Sequence, residues 1–369
     1  MRILMVTPAS PLVDGGVERH VLEVSRRLVA GGDSVDVVCA DPGGPGLVEF
    51  SRDGVEFHVV RAWPANQDWR FAPGIWRQMS RGHWDVVHIQ CYHTFVAPIG
   101  MVRALRLGIP YVVTFHGGGH SSRLRERLRG VHRRALKPLL IRAQRLIAVA
   151  RFEIDFYGRE LGIPQEKFTL IRNGTELTAF LDVQHGGDDD RTTVEPPPVI
   201  VSVGRLVKYK GHHRVIAAMP YVLASRPDAR LKIVGTGPYE GELRRQAADL
   251  DLGDRIEFTS VPPGDPRGMA ELLRGTRLSV LLSDFETQPQ TALEAVASGR
   301  RLLVADRGGT LELAEDGLAR AISPEAPPDL VATAILEELV LPLPVDAARQ
   351  LTTWEDCVAK LGALYRSVA

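Results

Sequence analysis

Residues 284–305 read DFETQPQTALEAVASGRRLLVA, and the interpretation of the whole chain starts from this stretch. It follows a short apolar strand at Leu278–Leu282. A helix is predicted over Gln290–Ser298, because these residues are rich in helix formers and Gly299 after them is a natural stop. Pro289 suits the first helical turn, since its missing N–H has no partner there. The stretch is therefore predicted to be a strand, a loop, a helix and a second strand.

Two glutamates, Glu286 in the loop and Glu294 in the helix, flank the N-terminus of this predicted helix. A helix N-terminus carries free backbone N–H groups and the positive end of the helix dipole, which together attract a phosphate. Carboxylates on either side could accept hydrogen bonds from sugar hydroxyls flanking a diphosphate. The spacing alone equally fits two solvated acids near a helix start, which the dipole also favours.

Length and composition restrict the class of protein. A chain of 369 residues predicts two domains, and its zero formal net charge argues against a general nucleic-acid binder. Cys39, Cys91 and Cys357 lie far apart, so we expect buried thiols in a reducing compartment. We expect no signal peptide before the strand Ile3–Thr7, and no apolar run approaches the roughly 18 residues that span a bilayer. These features predict a cytoplasmic protein.

The N-terminal residues have the pattern of a Rossmann-like unit. A strand at Arg2–Pro8, the glycines Gly15 and Gly16, a helix at His20–Val29 and a strand at Val35–Ala40 follow one another. The glycine loop is expected at the carboxyl edge of a parallel sheet. It lacks the GxGxxG dinucleotide pattern, so nicotinamide binding is weakly supported. Adjacent glycines let the backbone approach a ligand closely, although a plain tight turn also explains them.

A histidine follows one of the next strands at the same predicted edge. Trp84–Gln90 and Ile109–Phe115 are short apolar strands of the buried parallel kind, and His116 comes directly after the second, before three glycines. His116 is therefore a candidate ligand-binding residue, with a packing or loop role as the alternative. Asn173-Gly174 is predicted to form a turn farther along.

A polar segment divides the chain into two halves. We predict an N-terminal domain at 1–182, a linker at 183–198 rich in Gly, Asp and Pro, and a C-terminal domain at 199–350. Asp188–Asp190 lie in this linker and are interpreted as a solvated loop rather than a metal site. After the strand Val199–Val203, the loop from Gly204 carries Arg205 and Lys210, where cations would meet phosphate oxygens.

Taken together, these motifs resemble those of the retaining glycosyltransferases of family 4. The resemblance covers some 300 residues and rests on GGVE, TFHGG, the NG turn, GRLVKYKG, VGTGPYEGELR, the E-x7-E spacing with LEAVASG, and DRGGTLEL. It implies an α/β protein of GT-B fold, with two Rossmann-like domains, a central cleft, and a C-terminal helix at 351–369 packing back on the N-terminal domain.

The resemblance also implies roles for individual residues. Arg205 and Lys210 match the diphosphate clamp, Glu294 matches the residue that holds the ribose, and Glu286 and His116 match contacts to the donor sugar. The catalytic candidates are therefore His116, Glu286, Lys210 and Arg205. The substrate-binding candidates are Gly15, Gly16, Asn173, Gly204, Gln290, Thr291 and Glu294. No metal or other cofactor is expected, because the cations and helix N–H groups would neutralise the departing diphosphate.

The sequence departs from the family pattern at two places. Thr287-Gln288-Pro289 stands where x-Phe-Gly is usual, and proline removes a backbone donor, which affects the expected sugar contacts more than the phosphate contacts of Gln290 and Thr291. Arg300-Arg301 stand where a proline is common. The identity of the sugar is therefore not inferred from any relative.

The implied reaction transfers a sugar, with retention, from a nucleoside-diphosphate sugar, and a UDP-sugar is the favoured donor. The acceptor is either a polar small molecule, such as a sugar or an antibiotic, or a lipid-linked or cell-envelope glycan. In the second case the arginine-rich Arg123–Arg145 would contact an anionic membrane; a solvated helix face is the alternative. Two other functions stay open, a nucleotide-sugar epimerase and a non-catalytic sugar-nucleotide-binding protein. No nucleic-acid partner is expected, and a homodimer is left open.

Overall fold

The computed structural model describes residues 1–10, 15–42, 44, 46–64, 70–117, 123–185, 198–262 and 264–369. The chain forms two compact units. The first comprises Met1–Gly174 together with Thr352–Ala369, and the second comprises Thr175–Leu351.

The first unit is built on a largely parallel sheet with helices. Its strands are β1 (Arg2–Thr7), β2 (Ser34–Pro42), β3 (Val48–Arg52), β4 (Val55–Ala62), β5 (Val86–Gln90), β6 (Tyr111–Thr114), β7 (Arg145–Ala148) and β8 (Phe168–Leu170). Its first helices are α1 (Gly16–Ala30), α2 (Gly74–Met79), α3 (Val96–Leu107), α4 (Arg123–Arg142) and α5 (Arg151–Leu161). Across the described residues the strand order is β3-β4-β2-β1-β5-β6-β7-β8, and β3 runs antiparallel to β4.

The second unit repeats this plan with a smaller sheet. Its strands are β9 (Val199–Val203), β10 (Arg230–Val234), β11 (Ile256–Thr259), β12 (Leu278–Leu281), β13 (Arg301–Ala305) and β14 (Arg320–Ile322). Its helices are α6 (Thr178–His185), α7 (His212–Ser225), α8 (Glu240–Asp249), α9 (Pro266–Arg274), α10 (Gln290–Ala297), α11 (Gly308–Glu315) and α12 (Pro328–Val340). The paired strands are parallel, in the order β11-β10-β9-β12-β13-β14. Two sheets of this kind confirm the predicted α/β class with two Rossmann-like domains.

Buried apolar side chains cover both faces of each sheet, which explains why the central strands read as continuous apolar runs rather than alternating ones. In β1, Leu4 and Val6 pack in one cluster with helices α2 and α3, while Ile3 and Met5 pack in another with α1. The same division separates Ile200 from Val201 in β9. The parallel order thus follows from strands that bury both faces under helices.

The boundary between the units lies earlier than the predicted domain end at 182. Helix α6 packs against α9, and its Phe180 is buried in the core of the second unit, so the chain has already entered that unit at Thr175. Most of the predicted linker at 183–198, including Asp188–Asp190, lies outside the described residues.

The C-terminal helix α13 (Trp354–Val368) belongs to the first unit. Its Trp354, Cys357, Leu361 and Tyr365 are fully buried in the cluster that also holds Val24 of α1. A capping box formed by Thr353 and Asp356 begins the helix. The last residues of the chain therefore complete the core that its first residues begin.

Candidate functional site

The sheet of the second unit reverses its strand order between β9 and β12, which are hydrogen-bonded neighbours. In open α/β sheets, ligands bind outside the carboxyl ends of the strands at such a reversal. The loops that follow these two strands, residues 204–211 and 282–289, form what we call the β9–β12 surface. It carries most of the residues that the sequence nominated in this half of the chain.

Hydrogen bonds join the second loop of the β9–β12 surface to the first loop and to α7. The N–H of Asp284 donates to the carbonyl of Tyr209 over 2.8 Å, and the guanidinium of Arg214 donates to the carbonyl of Leu282 over 2.6 Å. Gly211 has a φ of 77°, and a Cβ on it would lie 2.0 Å from the carbonyl oxygen of Leu282. Only glycine permits this close approach, so the end of GRLVKYKG fixes where the second loop lies.

Lys210 and Glu286, nominated from separate motifs, form a direct ion pair between Nζ and Oε1. Ser283 Oγ donates to the same carboxylate oxygen over 2.8 Å. Arg205 is exposed, and its Nη2 donates to the hydroxyl of Tyr209 over 2.7 Å. The surface therefore places a paired lysine and carboxylate beside a loop that presents a guanidinium to solvent. Gly204 lies directly after β9, where its N–H donates to Val234 over 2.9 Å.

Helix α10 begins at Gln290. Pro289 was predicted to lie in the first helical turn, but it is the N-cap residue. Its ψ of 113° is extended, and its carbonyl accepts from the N–H groups of Ala292 and Leu293 over 3.1 and 3.2 Å. No side chain of the described residues caps α10. The backbone N–H groups of Gln290 and Thr291 therefore lie in the first turn of an uncapped helix.

The unusual loop before α10 is held by the start of α11. The N–H of Gly309 donates to the carbonyl of Glu286 over 2.9 Å, and a Cβ on Gly309 would lie 1.5 Å from the carbonyl oxygen of Thr287. The DRGGTLEL motif thus fixes the position of the loop that departs from the family pattern. Glu294, in α10, is buried with 6% of its surface exposed.

In the first unit, His116 follows β6 in a backbone conformation that side chains rarely adopt, with a φ of 52°. The next residue, Gly117, is held at both its N–H and its carbonyl by side chains of α5. Glu153, fully buried, accepts from the N–H of Gly117 over 2.9 Å, and the hydroxyl of Tyr157 donates to the carbonyl of Gly117 over 2.8 Å. These bonds stabilise a strained residue, which is a common feature of functional sites.

A buried polar cluster supports the His116 side chain. Its Nε2 lies 2.7 Å from Oε1 of Gln90, and the ring of His20 meets it edge to face with centroids 4.8 Å apart. Burial lowers the pKa of His20 to about 4 and that of His88 to about 3. Burial, with the neighbouring histidines, holds the pKa of His116 well below its usual range, so these imidazoles are neutral near pH 7.

The remaining nominated residues of the first unit lie at the start of α1 and after β8. Gly15 is the N-cap of α1 and Gly16 its first residue, and both are exposed. Asn173 is buried, with 7% of its surface exposed, and lies beside His20. Gly174 packs against Trp354, where a Cβ would lie 2.4 Å from the tryptophan Cα. Asn173 and Gly174 are therefore buried irregular backbone, and the predicted turn is not formed.

The arginine-rich segment is not a uniformly solvated face in the part that the structure describes. Arg133 is buried, lies 3.5 Å from Glu160 and stacks over Phe156 at 5.1 Å. Arg134 and Arg142 are exposed. In α4, the side chains of residues 123–129 lie outside the described part. In the described ranges, no helix is long and apolar enough to cross a membrane, and no group of three or more His, Cys, Asp or Glu could hold a metal ion.

Comparison with known proteins decides the family. The model for Glycosyltransferase Family 4 matches residues 14–179, and that for Glycosyl transferases group 1 matches residues 188–346. Glycogen synthase from Mycobacterium tuberculosis is 30% identical over 381 residues, which cover 95% of this chain and 88% of that protein. This chain is a family 4 glycosyltransferase.

Other proteins similar to this chain include a second named glycosyltransferase and two solved structures. A D-inositol 3-phosphate glycosyltransferase from Geodermatophilus obscurus is 28% identical, with 96% of this chain and 85% of that protein covered. A sucrose-phosphate synthase from Thermosynechococcus elongatus shares 21% identity and a TM-score of 0.75, over 99% of this chain and 98% of that chain. Anabaena HepE in complex with UDP-glucose shares 19% identity and a TM-score of 0.75 over all of both chains. These structures confirm the GT-B fold.

Sequence reasoning missed several residues that shape the site of this glycosyltransferase. They are His20, His88, Gln90, Glu153, Tyr157, Ser283 and Tyr365. One signal was available, because His88 and Gln90 are polar residues inside the buried strand VVHIQ and must find partners there. No local pattern points to His20 or Tyr365, since helices α1 and α13 meet the sheet only in the folded chain.

Proposed function

We propose that this glycosyltransferase transfers a sugar from a UDP-sugar to a hydroxyl-bearing acceptor with retention at the anomeric carbon, without a bound metal. The observation that carries the proposal is the β9–β12 surface, on which the Lys210–Glu286 pair lies beside Arg205 and the uncapped end of α10. Cations and free N–H groups beside carboxylates suit a nucleoside diphosphate that carries a sugar. The UDP-glucose complex of the structural neighbour HepE supports uridine as the base.

Each part of this surface has a proposed task. Lys210 and Arg205 stabilise the negative charge that grows on the leaving diphosphate, together with the N–H groups of Gln290 and Thr291. Glu294 accepts from the ribose hydroxyls, and Glu286 accepts from a hydroxyl of the donor sugar. In the free enzyme Glu286 already pairs with Lys210, so the lysine is held in position before a donor arrives.

We propose that the first unit contributes His116, as a neutral imidazole in contact with the donor sugar, and Gly15 and Gly16 near the phosphates and the acceptor. Depressed pKa values support a hydrogen-bonding role for His116 rather than that of a charged acid. Departure and attack on the same face of the sugar, with the diphosphate helping to deprotonate the acceptor, account for retention without a covalent nucleophile. The acceptor is proposed to be a sugar alcohol, a sugar or a lipid-linked glycan, because relatives include inositol-phosphate, glycogen and phosphatidylinositol glycosyltransferases.

The first experiment is a thermal-shift panel with UDP, GDP, ADP and CMP, each with and without EDTA. UDP at 100 times its dissociation constant should add about 2.7 kcal/mol to the free energy of unfolding, and EDTA should leave the shift unchanged. A larger shift with another nucleotide would replace uridine as the proposed base, and a shift abolished by EDTA would contradict metal-independent binding. Product analysis without any acceptor distinguishes transfer from epimerisation.

The variant Lys210→Ala tests the site assignment. It removes a cation that stabilises the leaving diphosphate, so turnover should fall about a hundredfold, or about 3 kcal/mol. The matched control is Lys232→Ala. Lys232 lies on β10 and forms another Lys–Glu pair of the same unit, with Glu257 of β11 at 3.2 Å. Near-normal turnover in both Lys210→Ala and Glu286→Gln would show that the site lies elsewhere.

A further inference from the structure

A chain of buried hydrogen bonds leads from the C-terminal helix to His116. The hydroxyl of Tyr365 lies 2.6 Å from Nδ1 of His88, and Thr114 Oγ1 lies 2.7 Å from Nε2 of the same ring. Both nitrogens of the His88 imidazole therefore have a hydrogen-bond partner. All of these groups belong to the first unit and are at most 1% exposed.

Gln90 lies between the rings of His88 and His116. Its Nε2 is 3.2 Å from Nδ1 and 3.3 Å from Nε2 of His88, nearly equidistant from the two nitrogens. An atom at these two distances in the plane of the ring would overlap the ring carbons, so the Gln90 amide group faces the π surface of the ring. An N–H is attracted to this electron-rich face, whereas a carbonyl oxygen would be repelled by it. The ring of His88 therefore orients the Gln90 amide with its oxygen away from His88.

The orientation of Gln90 decides how His116 is protonated. Oε1 of Gln90 faces Nε2 of His116 at 2.7 Å and can only accept a hydrogen bond. A neutral imidazole carries a single N–H, so the proton of His116 lies on Nε2 and the lone pair on Nδ1. A histidine in this form presents a hydrogen-bond acceptor on Nδ1.

We propose that Gln90 is a positioning residue, oriented by the ring of His88, that holds His116 in the tautomer whose Nδ1 accepts a hydrogen bond from a hydroxyl of the donor sugar. The proposal rests on the proposed function for the contact between His116 and the sugar. The tautomer itself rests only on the geometry of the buried cluster. Gln90 acts through His116 and does not touch the donor.

The test combines nitrogen-15 NMR of the histidine side chains with steady-state kinetics, on the full chain. The His116 signals are assigned by their loss in His116→Asn. In the unaltered enzyme, Nε2 should be protonated and Nδ1 unprotonated. Gln90→Leu removes the acceptor with little change in size, so the His116 signals should move toward a mixture of tautomers. For the donor, kcat should fall about tenfold, while UDP affinity stays unchanged because the nucleotide binds the other unit.

A control variant separates positioning from damage to the fold. Gln78→Leu makes the same substitution at another buried glutamine of the unit, in α2, and should change neither the His116 signals nor the kinetics.

The outcomes distinguish this inference from the proposed function. A single Nε2-protonated form in Gln90→Leu, or a protonated Nδ1 in the unaltered enzyme, overturns the tautomer assignment whatever the activity. A mixture of tautomers with unchanged kcat overturns the positioning role. If His116→Asn transfers sugar normally, the proposed contact of His116 fails, even where the NMR result supports the tautomer.

Discussion

At the scale of single residues, the two arginines at the second departure from the family pattern have structural tasks. Arg301 pairs with Glu338 over 2.7 Å, and Glu338 is only 3% exposed. Arg300 donates to the carbonyls of Ser298 and Thr276, which lie just after α10 and α9. A proline could make neither set of contacts. These residues therefore stabilise the second sheet at the amino-terminal ends of its strands, away from the β9–β12 surface.

A cluster of charged residues also lies at the edge of the first sheet, on strands that carry no nominated site residue. His58 of β4 lies 2.8 Å from Asp36 of β2 and 2.9 Å from Glu49 of β3. The hydrogen bond to Asp36, with a smaller contribution from Glu49, raises the pKa of His58 against the opposing effect of burial. The folded chain thus binds the proton of His58 more tightly than the unfolded chain does.

This linkage predicts a pH-dependent contribution to stability. A raised folded-state pKa means that the contribution of His58 is fully present below its unfolded pKa, about 6.5, and is lost as the pH rises through the folded value. His58→Asn should therefore lower the free energy of unfolding by about 1 kcal/mol at about pH 5.5 and by less at about pH 8.5. Urea unfolding at the two pH values measures this difference. The exposed His83→Asn is the control, and an equal effect of His58→Asn at both pH values would contradict the linkage.

At the scale of elements, α13 shows how a local signal and a distant contact combine. Thr353 accepts from the N–H of Asp356 over 3.0 Å, and the N–H of Thr353 donates to the Asp356 carboxylate over 3.2 Å. The helix thus starts at a position that the local sequence specifies. The face that it buries, with Trp354 and Tyr365, is specified by contacts with the first half of the chain.

Thr353→Ala tests the weight of the local signal. Loss of the N-cap hydroxyl should lower the free energy of unfolding by about 1 kcal/mol, because the N–H of Asp356 loses its acceptor. Urea denaturation followed by circular dichroism measures the change. Thr352→Ala, one residue earlier and outside the capping box, should have a smaller effect. Equal losses in the two variants would mean that the cap does not account for the stability.

At the scale of the whole molecule, the chain leaves the first unit at Gly174 and returns to it at Thr352. Residues that are distant in sequence therefore share one core, as Val24 of α1 does with Leu361 of α13. The His116 cluster depends on this return, because Tyr365 bonds His88 and Trp354 lies 6.0 Å from the ring of His20. A change that destabilises the first unit should accordingly destabilise α13 as well.

Hydrogen exchange can test this dependence with a matched pair of valines. Val24 and Val280 are both fully buried, the first beside α13 and the second in the core of the other unit. Replacing either by alanine should cost about 2 kcal/mol in its own unit. Only Val24→Ala should speed the exchange of the α13 amides. Equal acceleration by Val280→Ala would show that α13 does not depend specifically on the first unit.

Several features of this glycosyltransferase could be predicted from local sequence, because they depend on neighbouring residues. The helix after Pro289 ends at Ala297, with Gly299 just beyond at a φ of 63°, close to its predicted end at Ser298. The apolar runs predicted the central strands of both sheets. Lys210 and Glu286 were nominated from separate motifs, and the parallel sheet brings them into contact. The roles assigned to these residues stay predictions.

Other features could not be predicted from sequence because they depend on packing between distant segments. The antiparallel strand β3 and the boundary at Gly174 have no strong local signal. Asn173 was interpreted as a turn residue, since an NG pair usually forms one, but Trp354 covers its neighbour Gly174 and buries it.

The sequence by itself determined the α/β class, the family and the candidate residues at the ends of the strands, since periodicity, glycines and charged residues at fixed spacings act locally. The tertiary structure decided how those residues are supported. It placed Lys210 on Glu286, Glu153 on Gly117 and Gln90 on His116. These contacts exist because parallel strands bring their carboxyl ends to one edge, where residues far apart in the chain must satisfy one another's hydrogen bonds.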